Sequence, residues 1–532
     1  MSQPPTEKWN VEGPKLVSAE QMRRVDQVSI EEYGIPGHEL MDRAGARVVE
    51  AIHDRWGGLE GLRVAVVCGK GNNGGDGLVV ARLLHQTGVD VDLLLLDPLD
   101  AFSGDAAVHA AVLEDIDLAS TMLEASPDFS GCDLIVDAIL GTGLQGEPRP
   151  RQATVIDALN RCGRPIVAID LPSGVNADTG VVPGAAIRAA LTVTFDLPKI
   201  AHLFHPAREL CGDLALTQIG FPEEVIDACD SHIRLLTSEA VGRSLPQRAP
   251  TAHKGSCGSV TVIAGSAGMT GAAALTAEAA LRAGAGRVRL GSPASLHDIL
   301  ETKVTEAMTH RLPEVRRHRC LSLSGLGAAL ELIGSCEAAA LGPGLGRHRE
   351  TVEFVRRILR HPDLPPMVLD ADGLYALGDD RSLLNALTTP LVLTPHVGEM
   401  ERLSGRPAEQ ILADPVGSAC ELAEKAGVVV LLKGAPTVVA DPEGRVFVNP
   451  TGNSGMATAG AGDVLTGLIA GLLAQGVAAL EAACLGAFLH GAAADLARDE
   501  QGEWGLIAGD LLKYLPASFI AARRASVAAR DS

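Results

Sequence analysis

Aromatic side chains are scarce in this 532-residue chain: 3 Trp, 3 Tyr and 9 Phe. Rings this sparse do not build the stacking platforms on which single-stranded nucleic acid is held. Positive charge is short as well. Lys and Arg number 45 against 66 Asp and Glu, a formal net charge of −21. That balance opposes non-specific binding to nucleic acid and to anionic membranes, yet leaves room for a small anion held by backbone N–H groups. The 10 cysteines stand singly with no CxxC pair, so zinc and dithiol frameworks have little support. Residues 1–15 are polar and contain Pro, without an apolar signal core, so reduced thiols and a cytoplasmic location are expected. Long apolar runs are also missing. The one candidate, residues 464–480, is interrupted by Gly467, Gly471, Gln475 and Gly476. It falls short of the ~20 residues a span needs and reads as a buried helix.

What is present is core-building material. Apolar residues make up 46% and charged residues 21%, which excludes global disorder. At ~100–200 residues per domain the length allows two to four domains. Ser18 and Gln21 fit a capping box ahead of a helix with Met22, Val25 and Ser29 on one face. A second helix is predicted over 39–53. Apolar β-rich runs at 62–68, 91–96, 134–140, 165–170 and 191–195 then alternate with helical segments, the first over 78–87 after a Gly-rich loop. The pattern lapses over 220–250 and restarts at 260–264, 287–290, 338–341, 367–369, 391–393 and 428–432, with Ala-rich helices after Gly462. Near-continuous apolar strands separated by helices predict parallel sheets covered on both faces. The fold class is therefore α/β with two tandem domains, placed at 15–230 and 231–525. The basic stretch 311–319 reads as a solvated loop.

In the first domain a strand runs into Gly69-Lys70-Gly71-Asn72-Asn73-Gly74-Gly75-Asp76-Gly77. It matches the loose GxGxxG pattern of dinucleotide-binding turns but lacks the Gly-Lys-Ser/Thr of a Walker loop. The glycines suit close backbone approach and N–H groups aimed at an anion, or else a plain tight turn. Two further strands end in carboxylates, at Asp137 before Ala138-Ile139-Leu140-Gly141-Thr142-Gly143-Leu144-Gln145-Gly146, and at Asp170 before Leu171-Pro172-Ser173-Gly174. A carboxylate in an apolar strand is costly unless paired or coordinating, or unless it caps a neighbouring loop. Asn73, Asp137 and Ser173 offer only hard oxygen ligands, which suits a hard cation rather than zinc. Asp170 is left as the candidate acid/base.

Asn-Asn-Gly-Gly-Asp-Gly, Val-Asp-Ala-Ile-Leu-Gly-Thr-Gly-Leu and Asp-Leu-Pro-Ser-Gly in this order resemble NAD(P)H-hydrate epimerase. So do Leu40-Met41-Asp42-Arg43-Ala44-Gly45 and Thr194-Phe195 with Lys199. The resemblance covers roughly residues 15–225. It implies a Rossmann-like doubly wound sheet and interconversion of the R and S forms of hydrated NAD(P)H (NADHX and NADPHX) at C6. It also implies substrate contacts at Asn72, Asn73, Gly74, Gly75, Asp76, at Gly141, Thr142, Gly143, Leu144, Gln145, Gly146, Glu147, and at Asp170. A potassium (K+) site at Asn73, Asp137 and Ser173 comes with it.

The second domain ends its strands in Gly342-Pro343-Gly344-Leu345-Gly346, Thr394-Pro395-His396-Val397-Gly398-Glu399 and Lys433-Gly434-Ala435-Pro436-Thr437. Asn449 to Asp463, rich in Gly and Ala, then opens a long apolar helix. Small residues at a helix N-terminus free N–H groups and leave a positive dipole end, an anion hole for a transferring phosphoryl group. Asp463 stands where a base takes a proton from a hydroxyl, or where it merely complements the dipole. His396 is a ligand contact or a capping histidine.

Gly-Ala-Gly-Asp at a helix start resembles the ribokinase-like superfamily. Lys-Gly-Ala-Pro-Thr, Thr-Pro-His-Val-Gly-Glu and Gly-Asn-Ser-Gly-Met-Ala-Thr narrow this to ADP-dependent (S)-NAD(P)H-hydrate dehydratase, over about residues 235–525. The resemblance implies phosphorylation of the C6 hydroxyl by ADP and elimination of phosphate, giving NAD(P)H and AMP. It implies nucleotide contacts at Lys433, Gly434, Ala435, Pro436, Thr437 and Gly462, and hydrate contacts at Ala272, Gly344, His396 and Asp463. For Ala272 the register could slip to Gly271 or Ala273. Ser454, Ala459 and Ala461 depart from the family pattern. Mg²⁺ is expected on the nucleotide phosphates. The joint expectation is a bifunctional repair enzyme that forms a homo-oligomer and binds neither nucleic acid nor membrane. The rivals are a ribokinase-type small-molecule kinase, a non-catalytic binding module and an NAD-dependent dehydrogenase.

Overall fold

The computed structural model describes residues 11–116, 118–123, 128–378, 383 and 389–531. They form two compact units, residues 14–231, and residues 232–531 together with 11–13.

The first unit opens with helices α1 (Ala19–Glu31) and α2 (Gly37–Trp56). The Ser18 side chain accepts from the Gln21 N–H and the Gln21 side chain from the Ser18 N–H, and Met22, Val25 and Ser29 are buried. Seven strands follow: β1 (Arg63–Cys68), β2 (Asp90–Leu95), β3 (Ser120–Met122), β4 (Leu134–Ala138), β5 (Ile166–Ile169), β6 (Leu191–Phe195) and β7 (Asp213–Thr217). All pairings are parallel, in the order β3-β2-β1-β4-β5-β6-β7. The chain leaves β1 in one direction and returns to β4 on the other side. The β1/β4 crevice is thus the switch point at which such sheets bind ligands. Strand alternation fills two cores. Val64, Val66 and Cys68 join one with Leu40, Val48 and Leu78, while Ala65 and Val67 join the other with Val155, Ile156 and Leu159.

Most of the Gly-rich segment after β1 is helix, with only Gly69 to Gly71 left as loop. Helix α3 spans Asn72–Gln86, six residues earlier than its apolar pattern predicts. Its early glycines serve packing. A Cβ on Gly74 would lie 1.6 Å from the Gly69 carbonyl oxygen, so the helix start presses on the strand-end loop with no side chain between.

The second unit carries a ten-stranded sheet. Its strands are β8 (Ile233–Leu235), β9 (Ser259–Ile263), β10 (Arg287–Pro293), β11 (Met308–Leu312), β14 (Ala338–Leu341), β15 (Met367–Leu369), β16 (Leu391–Leu393), β17 (Val429–Leu432), β18 (Thr437–Ala440) and β19 (Val446–Asn449). The order is β11-β10-β9-β14-β15-β16-β17-β18-β19-β8, with β18 antiparallel to both neighbours. Strands β12 (Glu314–Val315) and β13 (Cys320–Leu321) make a separate hairpin. The basic stretch 311–319 is therefore part strand and part exposed turn. Strand β8 lies in the segment where the apolar pattern lapses. It is short and half-buried, with no periodicity to betray it.

Residues 464–480 are not one helix. The first helix, Ala461–Ala474, ends before Gly476 at φ 84°, and the next, Ala479–Gln501, starts after it. Ala479–Gln501 is long and apolar enough to cross a membrane, but most of it is buried inside the unit, as a core helix is. The Ala461–Ala474 helix meets Thr270–Arg282 backbone to backbone. A Cβ on Gly467 would lie 2.1 Å from the Thr276 carbonyl oxygen. Here small residues replace the aromatic bulk that the chain lacks. Gly467→Val should therefore cost about 1–3 kcal/mol of stability or more, as overpacked cores do. A lowered urea midpoint with an unchanged slope checks this.

Candidate active sites

At the first unit's switch point a cavity of about 910 Å³ opens at the carboxyl ends of β1, β4 and β5. Asn72, Asn73, Asp76, Gly141, Thr142, Gly143, Leu144, Glu147 and Asp170 all line it. Gly74 and Gly75 pack behind it against Gly69 and Met41 and offer only backbone. Gln145 and Gly146 are exposed and are not among the lining residues.

Asp170 has a left-handed backbone, φ 62°, a conformation that a non-glycine residue keeps only when its surroundings fix it. They do so here from three directions. Its carboxylate Oδ1 accepts from Lys199 Nζ at 2.6 Å and from Thr194 Oγ1 at 2.8 Å, and its carbonyl accepts from His202 Nε2 at 2.7 Å. His202 Nδ1 accepts from the Lys199 N–H, which assigns the proton to Nε2. Burial pushes the His202 imidazole down to about 4, so it stays neutral. Burial also disfavours an ionised Asp170, but the Lys199 ammonium and the hydrogen bonds outweigh it and hold the carboxyl below its usual value. Lys199 is 1% exposed.

Asp76 has the opposite environment. Burial, then repulsion from Asp170 and Asp26, drives its carboxyl well above the usual value against the pull of Lys199. Asp26, from α1, is pushed up to about 6 by burial, Lys199 only partly offsetting it. Sequence reading missed Asp26, and assigned Lys199 no role. The signal for Lys199 was its place in an apolar stretch, where an ammonium needs a partner.

Asp137, Ser173 and Asn73 meet around Leu140. Ser173 donates to Asp137 from Oγ at 2.6 Å and from its N–H at 2.8 Å. The Leu140 N–H donates to Ser173 Oγ, and Asn73 Nδ2 donates to the Leu140 carbonyl. Burial pushes Asp137 up to about 6 despite these donors. Asp137 is fully buried and every donor to it is neutral.

In the second unit, β9, β14, β15, β16 and β17 end on one rim. Lys433 follows β17, and its Nζ donates to Asp370 Oδ1 at 2.8 Å and lies 3.8 Å from Glu399. Thr466 Oγ1 donates to the other Asp370 oxygen at 2.8 Å. Burial alone would lower the Lys433 pKa, but Asp370, Glu399 and Asp463 raise it and keep the ammonium charged. Gly462 sits directly above. A Cβ there would lie 3.4 Å from Lys433 Nζ. Asp463, in the first turn of Ala461–Ala474, is pushed up to about 7 by burial and by Asp370, with Lys433 opposing.

The remaining predicted residues divide. Gly344, at φ 61°, touches Ala272: a Cβ on it would lie 3.0 Å from the Ala272 Cβ. A Cβ on Gly271 would meet nothing within 4 Å, and Ala273 is fully buried in the core. His396 is the N-cap of Val397–Ser404. Its Nδ1 accepts from the Gly398 and Glu399 N–H groups, while Glu399 accepts from the His396 N–H. Its backbone bridges to Lys433 and its ring is 60% exposed. Gly434, Ala435 and Pro436 form the turn into β18, and Thr437 begins that strand. Ser454 is exposed, its hydroxyl bonded to Glu503, and Ala461 is buried at the helix start. Sequence reading passed over Asp370, although it ends a buried strand as Asp137 and Asp170 do.

Comparison with known proteins agrees across both units. The family described as NAD(P)H-hydrate dehydratase matches residues 260–517, and the YjeF-related protein N-terminus matches residues 37–201. A bifunctional NAD(P)H-hydrate repair enzyme Nnr of Moorella thermoacetica is 44% identical over 94% of this chain and 96% of its own length. The Escherichia coli enzyme of the same name is 36% identical over 93% and 92%. The crystal structure of an ADP/ATP-dependent NAD(P)H-hydrate dehydratase from Bacillus subtilis, co-crystallised with ATP/Mg²⁺, aligns with 31% identity. It covers 54% of this chain and 97% of that one at a TM-score of 0.46.

Removing one partner of a buried ion pair strands the other. Lys199→Met should cost about 3–5 kcal/mol, read by urea denaturation. The linkage has a definite sign. Asp170 is depressed, so its contribution is present above the ordinary carboxylate pKa and lost as pH falls through the folded value. The gap between the parent protein and Lys199→Met should narrow on acidification.

Proposed function

This chain belongs to the bifunctional NAD(P)H-hydrate repair enzymes, and on that premise we propose how its two sites share the repair. The first unit interconverts the R and S forms of NADHX and NADPHX in the cavity at the β1/β4 crevice. The second dehydrates the S form with ADP. The observation that carries this division is the pair of rims, each holding a Lys–Asp ion pair beside a second, raised carboxyl.

In the second unit Asp463 is the base. A carboxyl poised near neutrality accepts the C6 hydroxyl proton as that oxygen attacks the β-phosphorus of ADP. Lys433 and the N–H groups at the start of Ala461–Ala474 receive the charge developing on the phosphoryl oxygens. AMP departs. Phosphate then leaves C6 as the C5 proton is lost, and the C5–C6 double bond of the dihydronicotinamide forms. Hydroxide is a poor leaving group and phosphate a good one, which is the chemical reason for spending a phosphoryl group. Lys433 to Thr437 and Gly462 hold the nucleotide; Ala272, Gly344, His396 and Asp463 hold the hydrate.

Two ions belong to this reading. Asn73, Asp137 and Ser173 would hold K+, whose charge would offset both the enclosed Asp137 and a substrate phosphate. Mg²⁺ would ride on the nucleotide phosphates and neutralise part of their charge. A cytosolic setting agrees with cysteines that stand singly in the sequence, with no CxxC pair.

The assignment predicts separable defects. Asp463→Asn should abolish ADP-dependent NADH formation while R/S interconversion continues. Asp170→Asn should leave S-form dehydration intact and slow consumption of the R form to the uncatalysed rate. Equal loss of both activities in either variant overturns the division. For the unmodified enzyme, kcat/KM for dehydration should rise with pH through about 7, since Asp463 must be ionised to act.

A further inference from the structure

Inverting C6 of a hydrated nicotinamide means remaking one bond at a carbon that carries both a hydroxyl and ring nitrogen N1. Such a hemiaminal opens when the hydroxyl proton is taken, C6 becomes an aldehyde carbon, and the C6–N1 electron pair leaves onto N1, which is protonated. That route needs a base and an acid in one cavity, in opposite protonation states. We propose that the first unit epimerises by ring opening at C6–N1, with Asp170 as the base on the hydroxyl and Asp76 as the acid on N1. The proposal rests on the reading that this cavity is the epimerase site.

The geometry separates the two carboxyls. Asp170 takes two donors on one oxygen, the ammonium of Lys199 and the hydroxyl of Thr194, which stabilise the anion. Asp76, near the start of α3, lines the same cavity, and no hydrogen-bond donor reaches it among the described residues. The charged groups that line this cavity with Asp76 are Arg23, Asp26 and Glu31 on α1, Lys70 ahead of α3, Asp97, Asp105, Glu147, Arg149, Asp170 after β5 and Lys199 after β6. Those that act on Asp76 are Asp170 and Asp26, which raise its pKa, and Lys199, which opposes them. Lys199 spends its bond on Asp170, so the carboxylates dominate the field at Asp76 and favour its protonated form.

The cycle balances. The hydroxyl proton passes to Asp170 and the Asp76 proton to N1, giving an aldehyde and a ring-opened enamine. Rotation about C5–C6 presents the other carbonyl face. N1 then attacks it, returns its proton to Asp76, and the new alkoxide recovers the proton from Asp170. No oxidant, reductant or water is consumed, and the C6 oxygen is retained throughout. The competing route, loss of the C6 hydroxyl and readdition of water, exchanges that oxygen.

The full chain, given (6R)-NADHX in H₂¹⁸O without ADP and quenched within a few turnovers, should yield (6S)-NADHX of unchanged mass. Incorporation of one ¹⁸O per inversion overturns ring opening. Asp76→Asn should lower the epimerase kcat by about 10²-fold or more, the usual worth of a positioned acid, with KM changed only a few-fold. Asp76→Glu should restore part of the rate. A wild-type kcat in Asp76→Asn, or a loss carried in KM alone, overturns the role of Asp76. If the unmodified chain does not outpace spontaneous interconversion, the epimerase reading itself falls, and the isotope result is then not at issue.

Discussion

A lysine paired with a strand-end aspartate sets the charge in each half of this molecule. Lys199, buried, holds Asp170 at 2.6 Å in the first unit, and Lys433, partly buried, holds Asp370 at 2.8 Å in the second. The attraction in each pair must offset the desolvation of both partners. Each pair also spends its positive charge locally. A second carboxyl on the same rim, Asp76 in one unit and Asp463 in the other, is then left in a net acidic, low-dielectric setting and rises above the ordinary range. On the roles proposed above, one arrangement supplies two kinds of proton chemistry: an acid in Asp76, which no hydrogen-bond donor reaches among the described residues, and a base near neutrality in Asp463.

The backbone makes these rims possible. Parallel strands bring their carboxyl ends to one edge, so residues distant in sequence converge there. Small residues let the helices close on that edge. Gly74 admits α3 against the loop after β1, and Gly462 admits Lys433 beneath the helix start. The scarcity of aromatic residues fits this construction, in which contact is made by backbone against backbone rather than by large side chains.

Much of this was legible in the sequence, for identifiable reasons. The central strands are fully buried and read as continuous apolar runs, and their ends announce themselves by Asp, Gly and Pro. The capping box at Ser18 and the oxygen cluster of Asn73, Asp137 and Ser173 follow from residue type and position. What escaped was set by tertiary contact. The helix Asn72–Gln86 begins among residues of poor helix propensity because packing, not propensity, starts it. Strand β8 is recruited by β19 from over 200 residues away. Asp26 and Lys199 enter the first site from α1 and from beyond β6, and no local pattern links them to Asp170. His396 caps a helix through Nδ1, one of the two readings its sequence allowed, and its ring stays exposed.

The central claim is that one chain repairs both epimers through two sites. The most direct measurement follows absorbance of the reduced nicotinamide when the full chain receives an equilibrated R/S mixture of NADHX with ADP and Mg²⁺. The account predicts complete conversion to NADH at enzymatic rates, without a slow second phase. A fast phase that stops at the S fraction, followed by conversion at the spontaneous epimerisation rate, would contradict the role of the first unit. No conversion of either epimer would contradict the account as a whole.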